Sequence, residues 1–216
     1  MELMLTDEEI RVLGCLIEKE MATPEYYPLS LNALTNACNQ KSNRNPVTAY
    51  SEETVMTALN GLRKKKLAME SSGSRVIKYA QTFSNEFKLN SREEAVICIL
   101  LVRGPQTLGE IRGRTERLYP FSGLEDVQET INGLENEGLI KRLPRQPGRK
   151  ESRYSHMLGG EPGESAEKDD IVLDTNSKGK ADYELIKELK DEIEMLRDEL
   201  SSIRQEFEAF KAKFGE

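Results

Sequence analysis

The sequence has no tryptophan, one histidine and three cysteines among its 216 residues. Cys15, Cys38 and Cys98 show neither the spacing of a disulfide framework nor that of a zinc site, which favours buried thiols in a reducing compartment. No apolar run reaches the roughly 18 residues that a membrane-spanning helix needs, and the N-terminus lacks the charged and then apolar segments of a secretory signal. We therefore expect a cytoplasmic protein without membrane contact.

Residues suited to catalysis are also scarce. His156 follows a predicted strand without convergent catalytic partners, so we interpret it as a surface or packing residue. No serine or cysteine has a base at a recognisable spacing, and no glycine-rich loop fits a phosphate group. Paired acids such as Glu8 and Glu9 fall in predicted first helical turns, where the helix dipole accounts for them. We expect neither an enzyme nor a bound metal or cofactor.

The net charge of −7 is concentrated at one end of the chain. Residues 1–158 carry nearly equal numbers of basic and acidic side chains, whereas residues 159–216 carry almost twice as many acids as bases. A neutral N-terminal part with local basic clusters still permits contact with nucleic acid. The strongly basic surface of a tight nucleic-acid binder is missing.

Two parts of the chain repeat one pattern. Residues 55–62 and 127–134 both read Val-x-x-x-(Leu/Ile)-Asn-Gly-Leu, and in each copy four further residues are followed by another leucine. Upstream, residues 5–17 align with residues 89–101. Each copy predicts the order helix, helix, helix, strand, strand, which is the winged-helix arrangement with the β-hairpin as the wing.

The predicted fold class is therefore α+β, mainly α with small β wings. We expect two tandem winged-helix domains, at residues 1–86 and 87–158. Hydroxyl residues mark the helix starts, in several cases with a glutamate at capping-box spacing, and clusters of Gly and Pro mark the hairpin turns. The predicted helix caps are Thr6, Ser30 and Ser51 in the first copy and Ser91, Thr107 and Ser122 in the second.

Two further segments follow these domains. Residues 159–182 are rich in Gly, Ser and charged residues, and we interpret them as a flexible acidic linker. Residues 183–214 predict a coiled-coil helix, because apolar residues recur in alternating steps of three and four. The residues of this seam are Ile186, Leu189, Ile193, Leu196, Leu200, Ile203, Phe207 and Phe210.

Charges beside the seam favour a parallel pair of chains. Glu192 and Glu199 fall at heptad position g, opposite Arg197 and Arg204 at position e of a parallel partner, so the contacts attract. We expect self-association as a parallel coiled coil, with a dimer as the expected oligomer. The two alternatives are a higher oligomer and an amphipathic helix that folds back onto the chain.

One segment carries a family resemblance. Residues 23–46, TPEYYPLSLNALTNACNQKSNRNP, closely resemble the signature segment of the YceH family of bacterial proteins, and residues 104–112 and 147–154 also resemble family motifs. The resemblance extends over residues 5–158. It implies a tandem winged-helix fold, and it brings no catalytic or binding residues with it.

Double-stranded DNA is the partner that this fold most often has. Basic residues cluster at the end of the third helix and on the wing of the first copy, on the wing of the second copy, and in the long polar connection at residues 39–46. These segments also have roles that need no DNA. The cations can stabilise helix ends or form a solvated surface, and the asparagines can form turns. The candidates for nucleic-acid contact are Lys41, Arg44, Arg63, Lys64, Lys65, Arg75, Arg145, Arg149, Lys150 and Arg153.

Two functions compete on these grounds. The first is a non-enzymatic DNA-binding protein of transcription-regulator type, dimerised by its coiled coil. The second is an adaptor that binds proteins through its winged-helix surfaces and the coil without touching DNA. Acidic residues at the start of both third helices, such as Glu52 and Glu125, argue against insertion into a DNA groove, because phosphates repel them.

Overall fold

The computed structural model describes residues 4–71, 76–145 and 151–160. Helices predominate and two small antiparallel sheets accompany them, so the α+β class is as predicted. The helices are α1 (Asp7–Ala22), α2 (Leu31–Cys38), α3 (Glu52–Lys64), α4 (Phe83–Glu86), α5 (Ser91–Arg103), α6 (Leu108–Thr115) and α7 (Leu124–Asn136). The strands are β1 (Leu29–Ser30), β2 (Ala68–Ser71), β3 (Lys78–Gln81), β4 (Ile140–Arg142) and β5 (Tyr154–His156).

Several predictions lie outside the described residues. They concern most of the linker, the whole coiled-coil seam and three of the basic candidates, Arg75, Arg149 and Lys150. Within the described ranges, no helix combines the length and the hydropathy needed to cross a membrane.

Each copy follows the predicted order of three helices and two strands. The first copy adds the short β1, which gives a three-stranded sheet in the order β1-β3-β2 with Leu29 opposite Tyr79. The second copy has the two-stranded sheet β4-β5, in which Ile140 lies opposite His156. The sequence did not predict β1, because two residues are too few to show an alternating pattern.

Four helix starts agree with the predicted caps. Thr6 accepts a hydrogen bond from the backbone N–H of Glu9, whose carboxylate accepts one from the N–H of Thr6. Ser30, Ser51 and Thr107 also cap their helices with side-chain oxygens. These bonds satisfy backbone donors that the first helical turn leaves without a partner.

The caps predicted at Ser91 and Ser122 are wrong. Asn90 caps α5 and forms the capping box with Glu93, one residue earlier than expected. Gly123 precedes α7 and provides no side-chain cap. The hydroxyl of Ser122 lies 3.1 Å from Oδ2 of Asp126 instead, so its side chain interacts one turn into the helix.

The repeated leucine spacing is explained by how the third helices end. The backbone N–H of Leu67 donates to the carbonyl of Leu62 (2.9 Å), and that of Leu139 donates to the carbonyl of Leu134 (3.0 Å). This six-residue closure is the Schellman motif, in which the two outer residues commonly make an apolar contact. All four leucines are buried, so each pair closes its helix and joins the core.

The two copies meet along their first helices. A Cβ atom at Gly14 of α1 would lie 2.8 Å from Cβ of Leu101 and 2.9 Å from Cγ1 of Val102 on α5. Any larger residue at Gly14 would therefore push α1 away from α5. The buried residues of both copies form one hydrophobic cluster.

Candidate functional site

An open groove of about 760 Å³ is lined by residues at the start of α1 and along α3. Glu8 and Glu53 lie among its lining residues, and Lys64 lines it as well. The side chains of Thr57 and Asn60 on α3 are exposed beside it. This surface is therefore polar and mixed in charge, with acids contributed by α1 and by the first turn of α3.

Two of the four consecutive cations at the end of α3 are engaged in ion pairs. Arg63 lies 2.7 Å from Glu70 on β2, and both side chains are 37% exposed. Lys65 lies 2.6 Å from the largely buried carboxylate of Glu9. The charge of Lys65 is therefore used within the first copy.

Lys64 and Lys66 are the other two cations of this run, and both are exposed. Lys64 also lines a second open cleft, between the end of α3 and β2. The predicted candidate Lys64 and its neighbour Lys66 thus present charge to solvent beside the first β-hairpin.

Lys66 has an unusual backbone. Its φ is 60°, in the left-handed region that non-glycine residues rarely adopt. The residue in the same place after α7 is Gly138, with a φ of 74°. Both residues close the Schellman motif of their helix, where glycine is preferred because it has no Cβ. The first copy therefore holds a lysine where the second copy has the less strained residue.

The polar connection between α2 and α3 places its two candidate cations differently. Lys41 is exposed. The side chain of Arg44 is fully buried, and its Nη1 and Nη2 lie 3.0 and 2.5 Å from the two carboxylate oxygens of Glu18. Its Nε donates to the carbonyl of Ala37 (3.0 Å). Arg44 holds the connection against α1 and is not available to a phosphate group.

The pKa values of this pair reflect its geometry. Burial raises the pKa of Glu18, but hydrogen bonds from Arg44 outweigh burial and leave it below its ordinary value. Burial lowers the pKa of Arg44, and the bond to Glu18 outweighs it and raises the value overall. Both groups are therefore charged inside the fold.

Other contacts of the connection also have a structural role. The side chain of Asn39 bonds to both the carbonyl (2.8 Å) and the N–H (2.7 Å) of Tyr50. Asn43 accepts a hydrogen bond from Arg103 of α5, and the N–H of Asn45 donates to the carbonyl of Val102 (3.0 Å). The connection of the first copy is thus attached to the second copy.

The second copy also divides its basic candidates. Arg153 is engaged, with Nη1 at 2.7 Å from the carbonyl of Pro105 and 3.1 Å from Glu110. Arg145 is exposed at the end of the described part of the wing. The sequence analysis missed two exposed arginines, Arg112 on α6 and Arg117 just after it, because it considered only third helices, wings and the connection between α2 and α3.

The third helix of the second copy exposes acids. Glu125 and Glu129 are exposed on α7, and Asp126 pairs with Arg92 of α5 at 2.8 Å. This surface would repel a phosphate backbone, in agreement with the sequence. The two copies therefore present different surfaces on one arrangement of elements.

His156 lies at the end of β5 and is only partly exposed. Burial lowers its pKa to about 4, and its Nδ1 has no hydrogen-bond partner within the part of the chain that the structure describes. Of the two roles considered for it, packing fits this burial. Among the described residues, no group of three or more His, Cys, Asp or Glu side chains is placed to hold a metal ion.

Comparisons with known proteins place the chain in a family. It is 55% identical over 170 residues to a UPF0502 protein of Geobacter sulfurreducens, covering 77% of this chain and 78% of that one. It is 50% identical over 218 residues to a UPF0502 protein of Geotalea uraniireducens, covering 99% and 100%. A UPF0502 protein of Solibacter usitatus is 50% identical over 194 residues, or 89% and 93%. Residues 5–149 match the family described as protein of unknown function, DUF480, and the chain belongs to that family.

Proposed function

We propose that this chain is a non-enzymatic DNA-binding protein of transcription-regulator type. Each copy is then a winged-helix domain, at residues 1–86 and 87–158, and the C-terminal helix at residues 183–214 dimerises the chain as a parallel coiled coil. The order of three helices and a β-hairpin in both copies supports the domain type. The observation that carries the proposal is the exposed pair Lys64 and Lys66 beside the first hairpin.

Lys66 supports the proposal through its strain. Holding a non-glycine residue in the left-handed region costs about 1 to 2 kcal/mol, and such strain is typically retained where it serves a function. Glycine at this position would close the same motif, as Gly138 does after α7. A cation directed at a phosphate backbone is a reason to keep lysine.

The proposed contact is with the DNA backbone. Glu52 and Glu53 occupy the exposed first turn of α3, where a recognition helix would approach base edges. Phosphates would repel them, whereas Lys64 and Lys66 at the other end would attract phosphates. Binding is therefore of the sequence-independent kind, in which each neutralised phosphate adds to affinity and to its dependence on salt. Dimerisation would raise the affinity of such modest sites.

The test is binding of a fluorescent DNA duplex to the full chain as salt is varied. We expect affinity to fall steeply with salt, and the double variant Lys64→Ala with Lys66→Gly to reduce the slope of log K against log salt by roughly two, about one for each contact. Lys88→Gly is the matched control, because Lys88 is another exposed lysine with positive φ, at the end of α4. Absence of binding at low salt, or a slope unchanged in the double variant, would contradict the proposal.

Dimerisation is tested separately by light scattering. The full chain should scatter as a dimer, and residues 1–158 as a monomer. A monomeric full chain would contradict the coiled-coil part of the proposal and leave the DNA contact to be judged by the duplex experiment.

The adaptor remains the second candidate, and one observation favours it. Met69, Val76 and Ile77 on the first hairpin are 50%, 59% and 58% exposed. Large apolar side chains grouped on a surface are typical of protein-binding sites. If the full chain dimerises but binds no duplex at low salt, the adaptor becomes the better account. Duplex binding that stays tight in the double variant Val76→Asp with Ile77→Asp would count against the adaptor.

A further inference from the structure

A set of hydrogen-bonded polar side chains crosses from the first copy to the second. Glu20 lies near the end of α1, and Glu94 lies close to the start of α5. Gln81, at the end of β3, reaches both of them. Its Nε2 lies 2.7 Å from Oε2 of Glu20 and 3.3 Å from Oε1 of Glu94. A single amide group therefore joins a carboxylate of one copy to a carboxylate of the other.

The orientation of this amide is fixed by Ser84 on α4. Oε1 of Gln81 accepts a hydrogen bond from the backbone N–H of Ser84 (2.9 Å), so the amide nitrogen has to face the carboxylates. The Ser84 hydroxyl donates to Oε1 of Glu94 (2.6 Å). Gln81 and Ser84 are 7% and 8% exposed. The two carboxylates thus bind groups that are nearly closed to solvent.

The contact holds two like charges together. The two carboxylate oxygens bind the same nitrogen, so they are at most about 6 Å apart, and partly buried charges interact strongly at this distance. Gln81 and Ser84, the partners that the described residues give them, are neutral. Neutral donors reduce the cost of burying carboxylates but leave the repulsion between them. Arg44 does not remove it, because Glu18 engages its guanidinium at 2.5 Å.

Glu94 is the member of the pair whose protonation is shifted. Burial raises its pKa, the bond from Ser84 opposes this, the charge of Glu20 adds to it, and the pKa lies above its ordinary value overall. Two further titratable groups face the contact. Tyr27 accepts a hydrogen bond from the backbone N–H of Gln81 (2.6 Å), and Cys98 follows Glu94 by one turn of α5. Burial raises the pKa of both, so both are neutral.

We propose that Glu20 and Glu94 form a proton-sensitive contact, which holds the two copies together more tightly when Glu94 is protonated. A neutral Glu94 removes the repulsion between α1 and α5, and its carboxyl group gains a hydrogen-bond donor that the ionised form lacks. Ionisation of Glu94 restores the repulsion and loosens the junction. The contact does not depend on the proposed binding of DNA.

The direction of the pH effect follows from the raised pKa of Glu94. A group with a raised pKa in the closed state contributes stability at low pH, and this contribution is lost as the pH rises through that pKa. Loss of the proton should increase the equilibrium constant for opening by about tenfold for each pKa unit of the shift.

Cys98 reports on opening of this junction. Its side chain is fully buried, and its sulfur lies 3.7 Å from the carbonyl of Gly14 on α1. A thiol reagent can therefore reach Cys98 only when α5 separates from α1. The rate at which Cys98 is alkylated in the folded protein measures how often this happens.

The experiment compares the full chain with Glu94→Gln, which has a neutral side chain of the same shape. Alkylation of Cys98 is followed by peptide mapping at several pH values. Comparison at one pH cancels the titration of the thiol and of His156. Glu94→Gln should slow the labelling above the pKa of Glu94 and leave it unchanged well below. Glu86→Gln is the matched control, because Glu86 is an exposed glutamate at the end of α4. Equal labelling of the wild type and Glu94→Gln at every pH would overturn the proposal.

The role of Glu20 is tested by NMR titration of the Glu94 side-chain carboxyl carbon in the full chain. The wild type should titrate above the ordinary glutamate value of about 4.3. Glu20→Gln should lower the pKa of Glu94, because it removes the neighbouring charge, whereas Glu86→Gln should leave it in place. A Glu94 that titrates at or below the ordinary value, or that does not respond to Glu20→Gln, would refute the contact.

Discussion

The carboxylate of Glu9 occupies the space beside Gly61 where any other residue would carry its Cβ atom. Glu9 closes the capping box of α1 and binds Lys65, so a single carboxylate joins the start of α1 to the end of α3. The equivalent pair in the second copy, Glu93 and Gly133, is looser, since a Cβ at Gly133 would lie 3.8 Å from Oε1 of Glu93. The shared Asn-Gly-Leu sequence therefore serves a tight contact in one copy only.

Alanine at these two glycines should have opposite effects. Gly61→Ala forces Glu9 away from Thr6 and Lys65, and we expect it to lower the free energy of unfolding by about 1 to 3 kcal/mol. Gly133→Ala meets no close atom and should raise it by up to about 1 kcal/mol, because alanine favours a helix interior over glycine. Urea titration of both variants checks this. Equal changes in the free energy of unfolding would show that the contact between Glu9 and Gly61 does not contribute to stability.

Replacing Lys66 by glycine should raise the stability of the fold and weaken DNA binding. Lys66→Gly relieves the left-handed backbone and should stabilise the fold by roughly 0.5 to 1 kcal/mol, after the extra chain entropy of glycine is counted. Lys88, with a φ of 54°, ends α4 by the same pattern of backbone bonds, so Lys88→Gly should stabilise to a similar extent. Thermal unfolding gives the stability, and the duplex titration gives the binding. The proposed function requires that only Lys66→Gly weakens the duplex complex.

The buried pair of Glu18 and Arg44 should matter more than the exposed pair of Arg63 and Glu70. Glu18→Gln leaves a buried guanidinium without its partner and should cost about 3 kcal/mol. Glu70→Gln is the matched change at the exposed pair and should cost less than about 1 kcal/mol. Chemical denaturation compares them. Faster proteolysis within residues 39–50 is expected for Glu18→Gln alone, and its absence would contradict the role given to Arg44.

The single histidine should make stability fall in a defined pH range. His156 is neutral in the folded protein down to about pH 4, whereas in the unfolded chain it takes up a proton below about pH 6.5. Between these two pH values the folded state binds fewer protons than the unfolded state. The free energy of unfolding therefore keeps its full value above about pH 6.5 and falls by up to about 3 kcal/mol as the pH is lowered to about 4.

Two measurements check this prediction. The histidine ring signals in NMR should titrate with the lowered pKa, and His156→Gln should remove the loss of stability between the two pH values. A ring that titrates near the ordinary value of about 6.5 would contradict it.

The α+β class and the repeated order of elements could be predicted because apolar spacing and turn residues act locally. The two wrong caps show the limit of such signals. Asn90 and Ser91 are both suitable caps, and Glu93 and Glu94 each satisfy the spacing from one of them. The choice follows from packing, since Glu94 accepts a hydrogen bond from Ser84 at 2.6 Å and cannot also turn back to close a box.

The basic candidates show a second limit. Arg44 lies in a polar run that resembles an exposed loop, and nothing local indicates that its side chain is buried against Glu18, 26 residues earlier. The sequence does not distinguish the four cations Arg63, Lys64, Lys65 and Lys66 from one another. In the structure, Arg63 forms an ion pair with Glu70 and Lys65 forms one with Glu9. Which cations are available depends on contacts between distant segments, and a single sequence does not show them.

The close approach of α1 to α5 at Gly14 bears on how the protein folds. Separating the two copies would bare Leu101 and Val102 on one side and the buried face of α1 on the other. Neither half then retains a complete apolar interior, and Arg103 would lose its hydrogen bond to Asn43. Duplication has thus produced halves that depend on each other, and we expect residues 4–160 to unfold in a single cooperative transition rather than one half at a time.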